Sequence, residues 1–132
     1  MQFSLTLAVD DLERSEAFYT DVLLFATERL RPAPGHPPLL LLRAAPVPVM
    51  LRENGSLEAL HPALFQNLDR HPHGVGVILE FTLDDLAPVQ RNIDRRQLHT
   101  LYELEDEEFH RRELWLHDPD GYLVVLNEER GS

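Results

Sequence analysis

Alternating apolar and polar residues mark the first strand of this chain, and a helical pattern follows it directly. Phe3–Val9 carries apolar residues at every second position, which is typical of a half-buried strand. Asp10–Asp11 then supplies a helix N-cap, and Phe18 and Val22 are four positions apart, so the pattern predicts a helix over Leu12–Leu23. Further strands are predicted at Thr27–Leu30, Leu39–Arg43 and Val47–Leu51, and a connection with a short helix around Leu57–Leu68 comes next.

The second half of the chain repeats this order of elements. Val75–Leu83 alternates, Asp84–Asp85 follows it, and Leu86, Val89 and Ile93 share one side of a second predicted helix. Strands are then predicted at Thr100–Leu104, Glu113–His117 and Tyr122–Asn127.

The two strand-to-helix junctions have nearly the same sequence. Val-Asp-Asp-Leu at Val9–Leu12 and Leu-Asp-Asp-Leu at Leu83–Leu86 are 74 positions apart. We therefore expect an α+β protein made of tandem βαβββ modules, module 1 at about 1–66 and module 2 at about 67–132. Neither half could bury its sheet alone, so residues 1–132 are expected to form a single domain.

Asp118-Pro-Asp-Gly121 lies between the last two predicted strands. Proline presets φ for a turn, aspartate side chains can accept hydrogen bonds from the local backbone, and glycine accepts a positive φ without steric cost. The segment therefore predicts a β-hairpin.

Composition narrows the class of protein. The formal net charge of −11 repels phosphate backbones, so nucleic acid is not an expected partner. No apolar run is long enough to span a membrane, and no signal peptide is expected, because Met1 leads almost directly into a predicted strand. With 0 cysteines, thiolate chemistry and disulfides are excluded, and a cytoplasmic location is expected.

Two signatures and the internal duplication give the chain a family resemblance. Val9-Asp-Asp-Leu-Glu-Arg-Ser15 with Phe18-Tyr19, and the Asp118–Gly121 turn before a strand, resemble the vicinal oxygen chelate superfamily. That superfamily includes glyoxalase I, extradiol dioxygenases, fosfomycin-resistance enzymes and bleomycin-resistance proteins. The resemblance implies a curled, eight-stranded mixed sheet, a half-barrel around a cavity with the helices outside. Leu24 departs from the glycine usual in the family, so an altered helix end is expected there.

The resemblance also implies where a metal would bind. Metal-using members carry His, Glu or Gln at four strand positions that correspond here to Ser4, Met50, Ile78 and Val125. These four residues are not a ligand set for a hard or borderline divalent metal. We therefore expect no metal and no cofactor, and a cavity for a bulky, partly apolar ligand.

Side chains alternate across a strand, so residues an even number of positions from these four should lie on the same face. Thr6, Arg52 and Glu80 are therefore added to the ligand-binding candidates. A Glu80 carboxylate among Ile78, Met50 and Val125 would have a raised pKa and could act as a general base or hold a cationic group. Alternatively, Glu80 pairs with Arg52 or reaches solvent.

The segment Tyr102–Trp115 combines acidic and aromatic residues. Tyr102, Phe109 and Trp115 could stack on a planar cationic ring, and the acidic residues at 103–108 could form a rim that attracts a cation. Alternatively, the acidic run is a solvated loop, and Trp115 belongs to the core, which its β preference favours. His71 and His73 fit a loop better than a metal site.

These observations favour a metal-independent small-molecule-binding protein of the bleomycin-resistance-like branch that sequesters a cationic or aromatic ligand, and the family resemblance implies a homodimer. The alternative is an enzyme of the same superfamily, namely a lyase, isomerase or dioxygenase that depends on a relocated metal or on Glu80. The sequence neither supports nor excludes a third possibility, a structural or regulatory partner protein.

Overall fold

The computed structural model describes residues 1–43, 46–109 and 111–129. They divide into two compact units, Met1–His73 and the segment from Gly74 onward, and each unit holds one four-stranded mixed sheet. Residues 67–73, assigned above to module 2, lie in the first unit. The α+β class and the duplicated βαβββ order are confirmed. Within the described residues, no helix is long and apolar enough to cross a membrane.

The first unit contains a sheet of strand order β1-β4-β3-β2, in which β1 and β4 are parallel. Its elements are β1 (Leu5–Val9), α1 (Leu12–Glu16), β2 (Thr27–Leu30), β3 (Leu39–Leu42), β4 (Val49–Glu53) and α2 (Asn54–Leu60), followed by a 3₁₀ turn at Leu68–Arg70. Alternation buries one side of the sheet, where Leu7, Leu40 and Leu51 are almost fully inaccessible.

The first helix begins as expected and then changes type. Asp11 is the N-cap, and its carboxylate accepts a hydrogen bond from the Glu13 amide at 2.9 Å. The α-helix ends at Glu16, and Ala17–Val22 forms a π-helix, so the predicted helix over Leu12–Leu23 changes type in its second half. In this wider turn the Leu23 amide donates to the Phe18 carbonyl at 3.1 Å.

An ion pair joins this helix to the sheet. The Arg29 guanidinium on β2 donates to the Glu16 carboxylate at 2.7 Å. The hydrogen bond to Glu16 raises the pKa of Arg29 above its ordinary value.

Leu24 follows the π-helix with φ of 62°, in the left-handed region. It thus adopts the conformation that a glycine would supply at this position, although its Cβ makes that conformation unfavourable.

Replacing Leu24 by glycine should raise the free energy of unfolding by about 1 kcal/mol, since glycine has no Cβ penalty at positive φ. The leucine side chain is 54% exposed, so little packing would be lost. Urea unfolding followed by circular dichroism measures the change. Leu24→Ala removes most of the same side chain but keeps Cβ; an equal gain from alanine would contradict the conformational explanation.

The second unit repeats the topology, with strand order β5-β8-β7-β6 and a parallel β5–β8 pair. Its elements are β5 (Ile78–Leu83), α3 (Ala87–Arg95), β6 (Tyr102–Asp106), β7 (Arg111–His117) and β8 (Leu123–Glu129). The side of the sheet that faces α3 is buried, and its core consists of Leu79, Leu86, Val89, Ile93, Leu114, Leu116, Val124 and Leu126.

The predicted hairpin turn is confirmed. The buried Asp118 carboxylate accepts hydrogen bonds from the amides of Asp120 at 2.9 Å and Tyr122 at 3.0 Å. Gly121 has φ of 97°. The turn fixes the pairing of β7 with β8, in which His117 lies opposite Leu123.

Two close contacts hold the second unit together. Gly74 has φ of 77°, and a Cβ at this position would lie 2.4 Å from the Tyr122 ring. On β8 the Glu128 side chain is 1% exposed, and its carboxylate accepts a hydrogen bond from the Leu86 amide, just before α3, at 2.7 Å. The Arg112 guanidinium lies 3.9 Å from the same carboxylate oxygen.

Candidate functional site

Each sheet has an open face, by which we mean the side turned away from its buried core. On the open face of the second unit, Glu80 on β5 is paired with Val125 on β8, Val125 with Trp115 on β7, and Trp115 with Tyr102 on β6. We call these four residues the second-unit row. All four were candidates from the sequence, and strand pairing brings them into one line across the sheet.

The aromatic end of the second-unit row is ordered by ring packing. The rings of Tyr102 and Trp115 meet edge to face, with centroids 5.7 Å apart. Tyr102 is 50% exposed and Trp115 is partly exposed. Trp115 is thus not fully buried, and it lies on the side of β7 opposite Leu114 and Leu116.

The carboxylate end of the row is oriented by a neighbouring amide. Glu80 is exposed, and the Asn127 side-chain amide donates a hydrogen bond to it.

Sequence reasoning missed a second carboxylate on the same face. Glu113 accepts hydrogen bonds from the Trp115 indole at 2.8 Å and from the Arg111 guanidinium at 3.1 Å. The sequence contained a signal for this contact. Residues two apart on a strand share a face, and Arg111, Glu113 and Trp115 follow one another at that spacing.

Two other second-unit candidates lie near the row but outside it. Ile78 is two residues before Glu80 on the same face and is exposed. Phe109 follows β6 in a turn, is 67% exposed, and its amide donates to the Asp106 carboxylate at 3.3 Å. Phe109 is therefore not part of the aromatic pair.

The acidic run does not form one surface. Glu103 and Glu105 belong to β6, not to a loop, and alternation turns them away from Tyr102. They line a small cleft on the helix side, together with Gln90 and Arg112. Of the acidic residues in β6, only Asp106 shares the face of Tyr102, so the acidic run does not rim the second-unit row as a whole.

The first-unit candidates share an open face of their own. Thr6 pairs with Met50, and Ala8 pairs with Arg52. The Thr6–Met50 pair corresponds to Glu80–Val125, because Thr6 and Glu80 are also 74 positions apart. Met50 is therefore the structural equivalent of Val125. Ser4 precedes β1, is exposed, and lines an open groove with Phe3 and Val47.

The four positions implied for a metal do not offer a donor set. Ser4, Met50, Ile78 and Val125 provide one hydroxyl, one thioether and two hydrocarbon side chains, which does not suit a divalent ion. Elsewhere in the described part of the chain, no group of three or more His, Asp or Glu side chains is arranged to hold a metal. His73 instead forms a hydrogen bond of 3.0 Å with the Asn54 side chain.

Solved structures of similar fold come from several bacteria. A protein of unknown function from Agrobacterium tumefaciens is 23% identical with a TM-score of 0.70, over 98% of this chain and 94% of that one. A member of the glyoxalase/bleomycin resistance protein/dioxygenase superfamily from Sphaerobacter thermophilus is 19% identical with a TM-score of 0.64, over 98% and 97%. A lactoylglutathione lyase from Agrobacterium tumefaciens is 20% identical with a TM-score of 0.59, over 97% and 92%.

At these identities the structural likeness shows the fold alone. A comparison with curated protein sequences found no significant match. The family model for the Glyoxalase/Bleomycin resistance protein/Dioxygenase superfamily, however, matches residues 2–126, which is nearly the whole chain. Together with the duplicated βαβββ topology and the Asp118–Gly121 hairpin, this match establishes that the chain belongs to that superfamily.

Proposed function

We propose that this chain is a metal-independent small-molecule-binding protein that sequesters a ligand with cationic and ring-containing parts. The observation that carries the proposal is the second-unit row, which places a carboxylate, a buried valine and an aromatic pair in one line. The unsuitable residues at the family's metal positions support binding without a metal.

The chemistry of the row fits such a ligand. The exposed Glu80 carboxylate can form a charge-assisted hydrogen bond with an ammonium group, and Asn127 already orients it. The Trp115–Tyr102 pair offers a rigid stacking surface with few rotatable bonds. The net charge of −11 attracts cations to the protein from a distance.

Replacing Glu80 by glutamine should weaken binding of a cationic, ring-containing antibiotic by about tenfold, the loss expected for one hydrogen bond to a charged group. Trp115 is the only tryptophan in the sequence, so its fluorescence reports on the row without interference from other sites. Titrations of a panel of such antibiotics into purified protein measure the affinity.

The matched control is Glu107→Gln, which changes the net charge equally at an exposed turn residue. It should leave the affinity unchanged. Equal losses in the two variants would assign the effect to net charge instead of the row. If no antibiotic of the panel bound, sequestration would be refuted.

An enzymatic function is the second candidate, and the orientation of Glu80 by Asn127 favours it. A fixed carboxylate can act as a general base in a lyase or isomerase reaction. In that case Glu80→Gln would abolish turnover while the circular dichroism spectrum stayed unchanged. Full turnover in the variant would exclude Glu80 as the base.

A further inference from the structure

The start of α2 carries a chemically reactive pair of residues. Asn54 is followed by Gly55, whereas the other asparagines of the sequence, Asn67, Asn92 and Asn127, precede larger residues. Asparagine is a thermolabile residue, and a following glycine makes it more so. Glycine has no Cβ to hinder the approach of its own backbone nitrogen to the preceding side-chain carbonyl. Asn54 is therefore the asparagine of this chain that is most prone to deamidation.

Deamidation at this position needs only the chain and water. The backbone nitrogen of Gly55 forms a bond to Cγ of Asn54 and loses its proton, while the bond from Cγ to the side-chain nitrogen breaks and ammonia leaves. Water then opens the resulting cyclic imide at either carbonyl, which leaves aspartate or isoaspartate at position 54. No oxidant, reductant or cofactor takes part.

The folded chain holds Asn54 away from the geometry of this reaction. Asn54 is the first residue of α2 and is 7% exposed, so ring closure requires its backbone to leave the helical conformation. Its side-chain oxygen lies 3.0 Å from Nε2 of His73, and the imidazole is the donor because this oxygen can only accept. The hydrogen bond joins the start of α2 to the last residue of the first unit.

The helix that protects Asn54 is itself weak. α2 has 7 residues, and helices this short are not stable without tertiary contacts. Gly55 lies within it, although its φ is not positive and a Cβ there would have nothing within 4 Å. Glycine disfavours a helix relative to alanine, so Gly55 lowers the resistance of α2 to opening. We expect α2 to open locally while the rest of the first unit stays folded.

We propose that Asn54–Gly55 is a deamidation site that α2 and the hydrogen bond from His73 hold closed. The reaction takes place in molecules whose α2 has opened, and it is irreversible because ammonia is lost. Isoaspartate routes the main chain through the side-chain carbons, which adds an atom to the backbone at the start of α2 and prevents the same helix from forming again. The local stability of α2 therefore sets the rate at which the chain is modified.

Peptide mapping by mass spectrometry, on the full chain incubated in mildly alkaline buffer with and without urea, tests the proposal. The wild type should deamidate at Asn54 much faster in urea than in buffer, and far faster than at Asn92 in either. His73→Ala should react about tenfold faster than the wild type in buffer, the effect of losing one hydrogen bond, and at the wild-type rate in urea. The control His71→Ala, at an exposed histidine, should match the wild type in both.

Three results would overturn the proposal. They are equal wild-type rates in buffer and urea, a His73→Ala rate in buffer no higher than that of His71→Ala, and the absence of product in urea. Amide hydrogen exchange of the wild type measures opening even if His73→Ala does not fold. The amides of α2 should exchange faster than those of β4, and equal protection would refute local opening.

Discussion

Replacing Gly74 by alanine should destabilise the protein by about 3 kcal/mol, because the substitution adds a steric clash to an unfavourable backbone conformation. The new Cβ would lie 2.4 Å from Cδ1 and 3.1 Å from the backbone Cα of Tyr122. Tyr122 is buried and immediately precedes β8, and its amide donates a hydrogen bond to the Asp118 carboxylate of the turn, so neither atom can move away easily. The urea midpoint of unfolding measures the effect.

Gly76 provides a matched control two residues away. Its φ of 82° resembles that of Gly74, but a Cβ there would have nothing within 4 Å. Gly76→Ala should therefore lower the free energy of unfolding by only about 1 kcal/mol, the cost of a Cβ at positive φ. Equal losses at both positions would show that the contact with Tyr122 contributes nothing.

Replacing Glu128 by alanine should also cost about 3 kcal/mol, because it leaves a buried amide and a neighbouring guanidinium without their acceptor. The carboxylate contacts the Leu86 amide at the start of α3 and the Arg112 side chain, with which it is paired across β7 and β8. Both partners lose their interaction in the alanine variant. Equilibrium unfolding in urea at neutral pH measures the loss.

Glutamine at position 128 keeps an oxygen that can accept from Leu86 and removes only the charge, so Glu128→Gln should lose about 1 kcal/mol. Glu129, the next residue on the strand, is exposed, and Glu129→Ala should change the stability by less than about 0.5 kcal/mol. A small loss in Glu128→Ala, comparable to that of Glu129→Ala, would contradict a role in fixing α3.

The strands and their duplication could be predicted because period-two alternation and turn chemistry are local signals. The type of the first helix could not. Phe18, Tyr19, Val22 and Leu23 are all buried, and this spacing places them on one side of either an α-helix or a π-helix. The pattern of apolar residues does not specify the backbone hydrogen bonds that distinguish an α-helix from a π-helix.

The candidate site was partly predictable for a similar reason. The hairpin turn alone places His117 opposite Leu123. Counting residues away from the turn along each strand then places Trp115 opposite Val125, on one face of the sheet. Tyr102 required the structure, because the connection between β6 and β7 does not fix their register from sequence. The hydrogen bonds that orient Glu80 and Trp115 depend on side-chain rotamers, which no pattern of residue types specifies.

Because the two units have the same strand pairing, the first unit has four positions that correspond to the second-unit row. Thr6, Met50, Leu41 and Glu28 form its corresponding line across the sheet. The strand pairing is the same in both units, whereas the residues on the open faces differ. Introducing glutamate, tryptophan and tyrosine at positions 6, 41 and 28 would copy the polar and aromatic members onto the first unit, so the same chain offers a scaffold for a bivalent receptor.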